Sequence, residues 1–155
     1  MTPRPVCLVA YVLLPFLVPA LASAQAHYVN APNLAPPPGY SHAVVIEHGK
    51  IIYLSGAVSA DAHGNVVGPG DFRAQATQAF ENLRAELSAV GATPANLVKL
   101  NYFVVGLDHD KVLALREVRD KFLDRDHLPA STLTGTVALV RDEFLIEIEG
   151  VAVVP

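Results

Sequence analysis

The sequence has one cysteine, Cys7, one methionine and no tryptophan. Cys7 lies within an apolar leader, so the chain beyond it holds no thiol. Disulfides, thiolate nucleophiles and cysteine-held metals are thereby excluded from the folded part. Charged residues make up only 17% of the sequence, and the formal net charge is −4. Nucleic-acid binding needs a basic face, so RNA and DNA are not expected partners. The histidines, His27, His42, His48, His63, His109 and His127, are scattered. None pairs at i, i+4 on a helix and no H-E-x-x-H occurs, so no metal is expected. Ser55-Gly56 lacks a surrounding G-x-S-x-G, and the glycine-rich stretches lack phosphate-loop spacing. No cofactor is expected.

The first residues have the organisation of a secretory signal peptide. Arg4 is a short positive start, Val6 to Ala20 is nearly all apolar, and Leu21-Ala22-Ser23-Ala24-Gln25-Ala26 offers small-residue cleavage positions. The signal covers residues 1–24, with cleavage after Ala24 or after Ala26. Pro15 and Pro19 interrupt the run and no basic residues follow it, which argues against a membrane anchor. The expectation is an exported protein, periplasmic or secreted, with no stable membrane association after cleavage. Loss of Arg4 takes the formal charge from −4 to −5.

Residues 27–155 suit one domain. Asn30 to Gly39 is proline-rich and predicts an extended arm. Ala43 to Ser55 predicts a hairpin, turning at Glu47-His48-Gly49-Lys50. Gly56 to Gly70 predicts a loop with a short strand at Val66-Val67. Asp71 to Val90 is the clearest helix, with Phe72, Ala76, Phe80, Leu83, Leu87 and Val90 on one apolar face. Asp71 is its expected cap and Gly91 its stop. Leu97 to Val105 predicts a strand and Asp110 to Leu123 a second helix, burying Val112, Leu115, Val118 and Phe122. Two strands come next, Thr132 to Val140 and Phe144 to Val154, joined at Arg141-Asp142-Glu143. This order predicts an α+β fold, a mixed sheet with both helices on one face. Many of the strands are apolar on both sides and helices cover only one face, so a second copy is expected on the other.

Several blocks, taken in order, resemble the Rid (YjgF) family. Leu128 to Val154, LPASTLTGTVALVRDEFLIEIEGVAVV, is similar to its C-terminal signature of PARS, a strand, and a second strand reading IEIE. Pro38-Gly39-Tyr40-Ser41-His42-Ala43 is similar to its GPYSQA block, and Tyr53-Leu54-Ser55-Gly56-Ala57 to its SGQ block. Gln75 to Gly91 resembles its Q-x-x-Q helix. The resemblance implies a chorismate-mutase-like fold, a homotrimer, and clefts between subunits in which reactive enamines and imines are hydrolysed. It implies a catalytic role for Glu147 and a cleft position for Tyr40. Three departures stand out. Ser131 replaces the family arginine of PARS, Arg116 falls where a second-helix asparagine lines the cleft, and one extra residue precedes Glu147.

Imine hydrolysis needs a water aimed at the C=N carbon and a carboxylate to take its proton. Glu147 fits that task, although Glu147 and Glu149 also alternate with Ile146 and Ile148 as on any half-exposed strand. The family arginine grips a substrate carboxylate with its planar fork, which serine cannot do. The expectation is therefore a substrate other than the usual imino acid, bound by Tyr40, Ser55, Arg116, Ser131 and Thr132. Two functions stay open: an enamine or imine deaminase, and a non-catalytic small-ligand-binding or interaction protein on the same fold. The leader makes one direct prediction. N-terminal sequencing of the exported protein should find Gln25 or His27 first, and a soluble chain starting at Met1 would contradict it.

Overall fold

The structure is a computed structural model that describes residues 25–155. In chain order its elements are β1 (Gln25–Val29), β2 (Ala43–His48), β3 (Lys50–Val58), α1 (Phe72–Ala89), β4 (Leu97–Val105), α2 (His109–Phe122), β5 (Ala130–Thr136) and β6 (Ile146–Val154). The expected signal peptide lies outside the described residues. Gln25 and Ala26 already pair with β2, so cleavage after Ala26 would remove two residues of β1.

Helix α1 begins where the sequence supplies an acceptor: the Asp71 carboxylate takes the Ala74 N–H at 3.0 Å. It ends before Gly91, whose φ of +72° is the left-handed conformation that glycine adopts without strain. Phe72, Ala76, Phe80, Leu83 and Leu87 are buried as the periodicity predicts. Val90 is not, because it sits past the last helical turn and is 44% exposed. Helix α2 begins on Asp108, which accepts from Lys111 N–H, and buries Leu115, Val118, Phe122 and also Arg119. The Phe80 and Phe122 rings join the two helices at 4.7 Å.

The four-stranded sheet has the order β3-β6-β4-β5. β4 and β5 run parallel, linked by α2, and β6 is antiparallel to β3 and β4. Leu100, Tyr102 and Val104 of β4, with Ile146, Ile148 and Ala152 of β6, are buried beneath the helices. Strand alternation then puts Asn101, Phe103, Glu147 and Glu149 on the opposite face. The expected α+β fold, with two helices on one face of a mixed sheet, is the fold found. Ile51 and Tyr53 on β3 are 49% and 80% exposed, so part of the apolar strand surface is left open to solvent.

Three expectations are corrected. The Ala43–Ser55 segment is not a hairpin: β2 pairs with β1 in a separate two-stranded ribbon and β3 belongs to the main sheet. Only Gly49 separates the two strands, at φ +127°, so the chain kinks where a hairpin would need two turn residues. Val66 makes only a single bridge, to Ala60. β5 ends at Thr136 and β6 starts at Ile146, and between them Val137 is 98% exposed and belongs to a connection.

That connection is held from beneath by Gln75 of α1, which is fully buried. Its amide nitrogen donates to Glu143 O at 2.8 Å and Gly68 O at 3.2 Å, and its oxygen accepts from Leu145 N at 2.8 Å. One side chain thus satisfies three backbone groups from two loops. Gln75→Leu should cost about 3 kcal/mol, because those groups lose their partners in a dry site. Urea unfolding measures it, and a loss below about 1 kcal/mol would show that water substitutes.

Candidate functional site

β5 pairs in register with β4, Ser131 opposite Leu100 and Leu133 opposite Tyr102. Because Leu100 and Tyr102 face the helices, Ser131 and Leu133 do too. They form the floor of a pocket of about 240 Å³ at the β5 edge, roofed by α2. Tyr40 enters it from the Pro38-Gly39 turn, which is docked by Ser41 N–H donating to Pro129 O at 3.1 Å. Arg116 and Arg119 reach it from α2. Of the residues singled out in the sequence, Tyr40, Arg116 and Ser131 therefore come together.

Two pocket residues were not anticipated. Arg119 is only 8% exposed. Its Nε and Nη2 donate to Asp120 Oδ1 at 2.9 and 2.7 Å, and Nη2 also donates to Pro38 O at 3.2 Å. Among the described residues Nη1 has no hydrogen-bond partner. The guanidinium lies against Gly39 so closely that a Cβ there would fall on Nη2. Tyr102 is 3% exposed, its ring edge-on to Phe80, and its buried hydroxyl has no hydrogen-bond partner among the described residues. Burial pushes its pKa far above the ordinary tyrosine value, with the Arg119 charge opposing the shift and Asp120 adding to it. The hydroxyl thus keeps its proton and remains a donor. The signal available in the sequence was Arg116-x-x-Arg119, a spacing that puts both side chains on one helix face.

The other singled-out residues lie elsewhere. Glu147 pairs with Phe103 and Val58 on the face away from the helices. Its carboxylate lies over Gly56, where a Cβ would collide with Oε1, and it has no hydrogen-bond partner among the described residues. Ser55 is exposed beside Gly56, in the irregular stretch of β3 between Leu54 and Ala57. Thr132 accepts from Lys99 Nζ at 2.9 Å. Glu149 accepts from Asn101 Nδ2 at 2.7 Å and is a structural pair. Within one chain the sheet itself separates Glu147 from the pocket. Among the described residues no cluster of His, Cys, Asp and Glu is placed to hold a metal.

The Arg119 cradle is testable through Gly39, which has φ +92°. Gly39→Ala should lower stability by about 2–4 kcal/mol, combining left-handed strain with displacement of a buried guanidinium. Gly70→Ala carries comparable strain at φ +77° but meets nothing within 4 Å. It should cost only about 1 kcal/mol. Equal losses in urea unfolding would contradict the contact.

Comparisons with known proteins agree on one family. Residues 30–154 match the family model described as endoribonuclease L-PSP. The chain is 30% identical over 121 residues to a 2-iminobutanoate/2-iminopropanoate deaminase of Dermatophagoides farinae, covering 78% of this chain and 91% of that one. It is 31% identical to protein DfrA of Myxococcus xanthus, covering 86% and 97%. Among solved structures, a Rid-family protein of unknown function from Yersinia pestis superposes with a TM-score of 0.78 at 34% identity, covering 83% of this chain and 98% of that one. RidA from an Antarctic Psychrobacter superposes at 0.61 and 27% identity, covering 86% and 100%.

Proposed function

Because this chain belongs to the Rid family, whose model is described as endoribonuclease L-PSP, we propose that it is an exported enamine or imine deaminase acting at clefts between the subunits of a homotrimer. The observation that carries this reading is the division of the site by the sheet. The pocket of Tyr40, Arg116 and Ser131 lies on the helix side of the sheet and the unpartnered Glu147 on the other. A second copy that covers the Glu147 face is needed to bring its own pocket and that carboxylate together. The exposed Tyr53 and Ile51 supply apolar surface for such a contact. The leader at residues 1–24 supports export, and the named activity of the mite relative supports the reaction.

In the proposed reaction the Glu147 carboxylate takes a proton from water as the oxygen attacks the C=N carbon. The proton passes to nitrogen, the C–N bond breaks, and a carbonyl compound and ammonia leave. No electrons are exchanged and no cofactor is required. Gly56 has a positioning role, since its missing side chain is the space in which the carboxylate lies. An RNA substrate suits this chain poorly, because its formal charge is already −4 before any leader is lost. A ligand-binding protein on the same fold is the rival reading, and it predicts saturable binding without turnover.

Semicarbazide competition with enzymatically generated imines separates the two. The protein should outcompete the trap, Glu147→Gln should reduce the rate at least about 100-fold, and Gly56→Ala about 10-fold with little change in unfolding midpoint. Light scattering should give about three subunit masses, the stoichiometry implied by the family resemblance. A monomer, or binding without turnover across neutral and charged imines, would overturn the deaminase reading.

A further inference from the structure

Strand β3 lies at an edge of the main sheet, with β6 as its one neighbour among the described strands. An edge strand leaves backbone groups without ladder partners. Where β3 ends, a helix side chain takes their place. Asn82 of α1 donates from Nδ2 to Val58 O at 2.7 Å and to Ala60 O at 2.8 Å. Its Oδ1 accepts from Gln78 Nε2 at 2.8 Å, so a flipped amide would lose all three bonds. The Ala60 N–H also donates to Val58 O, at 2.9 Å, so the chain turns out of the sheet at the point that Asn82 grips. That grip is close to the Glu147 carboxylate. Val58 is the register partner of Glu147. Between the pairs Leu54–Gly150 and Ala57–Ile148, β3 holds one residue more than β6, so Ser55 and Gly56 form a bulge. The Glu147 side chain lies across Gly56 of that bulge, in space that a Cβ would fill. A bulge interrupts the ladder, so the pairs at its two ends hold its backbone. One end is the Leu54–Gly150 pair, and the other is the segment tied to Asn82.

We propose that Asn82 is a positioning residue for the Glu147 carboxylate. Oriented by Gln78, it ties the end of β3 to α1 and so fixes the backbone on which that carboxylate rests. It acts through Val58 and Gly56, not by contact with substrate. The task calls for an amide, because one nitrogen must donate to two carbonyls while the oxygen accepts from Gln78. Aspartate offers no donor and alanine offers neither group. A carboxylate that aims a water must be held to within about 0.5 Å, so slack in the bulge lowers the rate of the chemical step. The pocket of Tyr40, Arg116 and Ser131 lies across the sheet, so substrate binding does not follow the same change. The effect on turnover rests on the deaminase reading, whereas the effect on Glu147 rests on the geometry alone.

Two variants test the role. Asn82→Asp keeps the size of the side chain and removes both donors, and Asn82→Ala removes the amide without adding charge. In whichever variant folds, hydrogen exchange at the amides of Ser55 to Val58 should quicken at least about tenfold, with no change at Leu100 to Val104 of β4. The carboxyl carbon-13 resonance of Glu147 should move at fixed pH. In semicarbazide competition kcat should fall about tenfold while KM stays within about twofold. Gly70→Ala, which costs stability away from the site, should leave kcat unchanged. In a Gly56→Ala background, Asn82→Asp should cost less than about threefold more, because both changes disturb one contact and independent effects would multiply. Unchanged exchange at Ser55 to Val58 or an unmoved Glu147 resonance overturns the inference whether or not imines are hydrolysed, and so do multiplicative losses where they are. Quickened exchange with a moved Glu147 resonance, in a protein that turns over no imine, upholds the placement of the carboxylate and removes the deaminase reading.

Discussion

The amide of Gln75 is the contact on which the placement of the rest depends. Strand β6 carries Glu147, and its register is set where the chain enters it, at Leu145. Gln75 holds that entry from a helix in the centre of the core, bonding Glu143 and Leu145 on one side and Gly68 on the other. The one extra residue before Glu147 that the family resemblance implies is placed most easily at Arg141-Asp142-Glu143. The structure has a turn there, with Phe144 N–H donating to Arg141 O. The turn lies before the Leu145 anchor, so an added residue is absorbed outside the strand and does not flip Glu147 to the other face. A buried polar side chain gains this authority because its bonds are directional and their loss is expensive in a dry interior.

Arg119 obeys the same constraint. A buried guanidinium is tolerated only when paired and hydrogen-bonded. Asp120 supplies the counter-charge, Pro38 a carbonyl, and Gly39 the clearance. The proline-rich arm is therefore more than a connection: its last residues are one wall of the pocket and part of the arginine's coordination. Tyr40 comes directly after them, so the same turn that fixes Arg119 also delivers an aromatic wall to the pocket.

The sheet is the partition of the site. A strand presents alternate residues to opposite faces, so Ile146 and Ile148 enter the core while Glu147 and Glu149 leave it. The parallel pairing of β4 and β5 sends Ser131 inward and Thr132 outward by the same rule. Asn101 occupies Glu149 and Lys99 occupies Thr132, and among the described residues Glu147 is left without a partner on that face. The pocket and the Glu147 carboxylate therefore lie on opposite faces of one sheet.

The sequence by itself determined what depends on local pattern. The two helices were legible from apolar spacing and from the Asp71 cap and Gly91 stop, and strand β4 from its apolar and aromatic run. The helix-on-sheet arrangement came from their order. Family blocks named Tyr40, Ser131 and Glu147. Pairing partners were not legible: the expected hairpin failed because β2 found β1, whose first two residues, Gln25 and Ala26, lie in the stretch assigned to leader cleavage. Tyr102 read as one more apolar strand residue, and Arg119 as one more charge on a helix of charges. Only the tertiary structure made one a buried, unpartnered hydroxyl and the other a buried, half-used cation. It also divided Glu147 from Ser131. Burial and facing are sums over contacts distant in the chain, and local patterns carry no record of which groups those contacts leave unpaired.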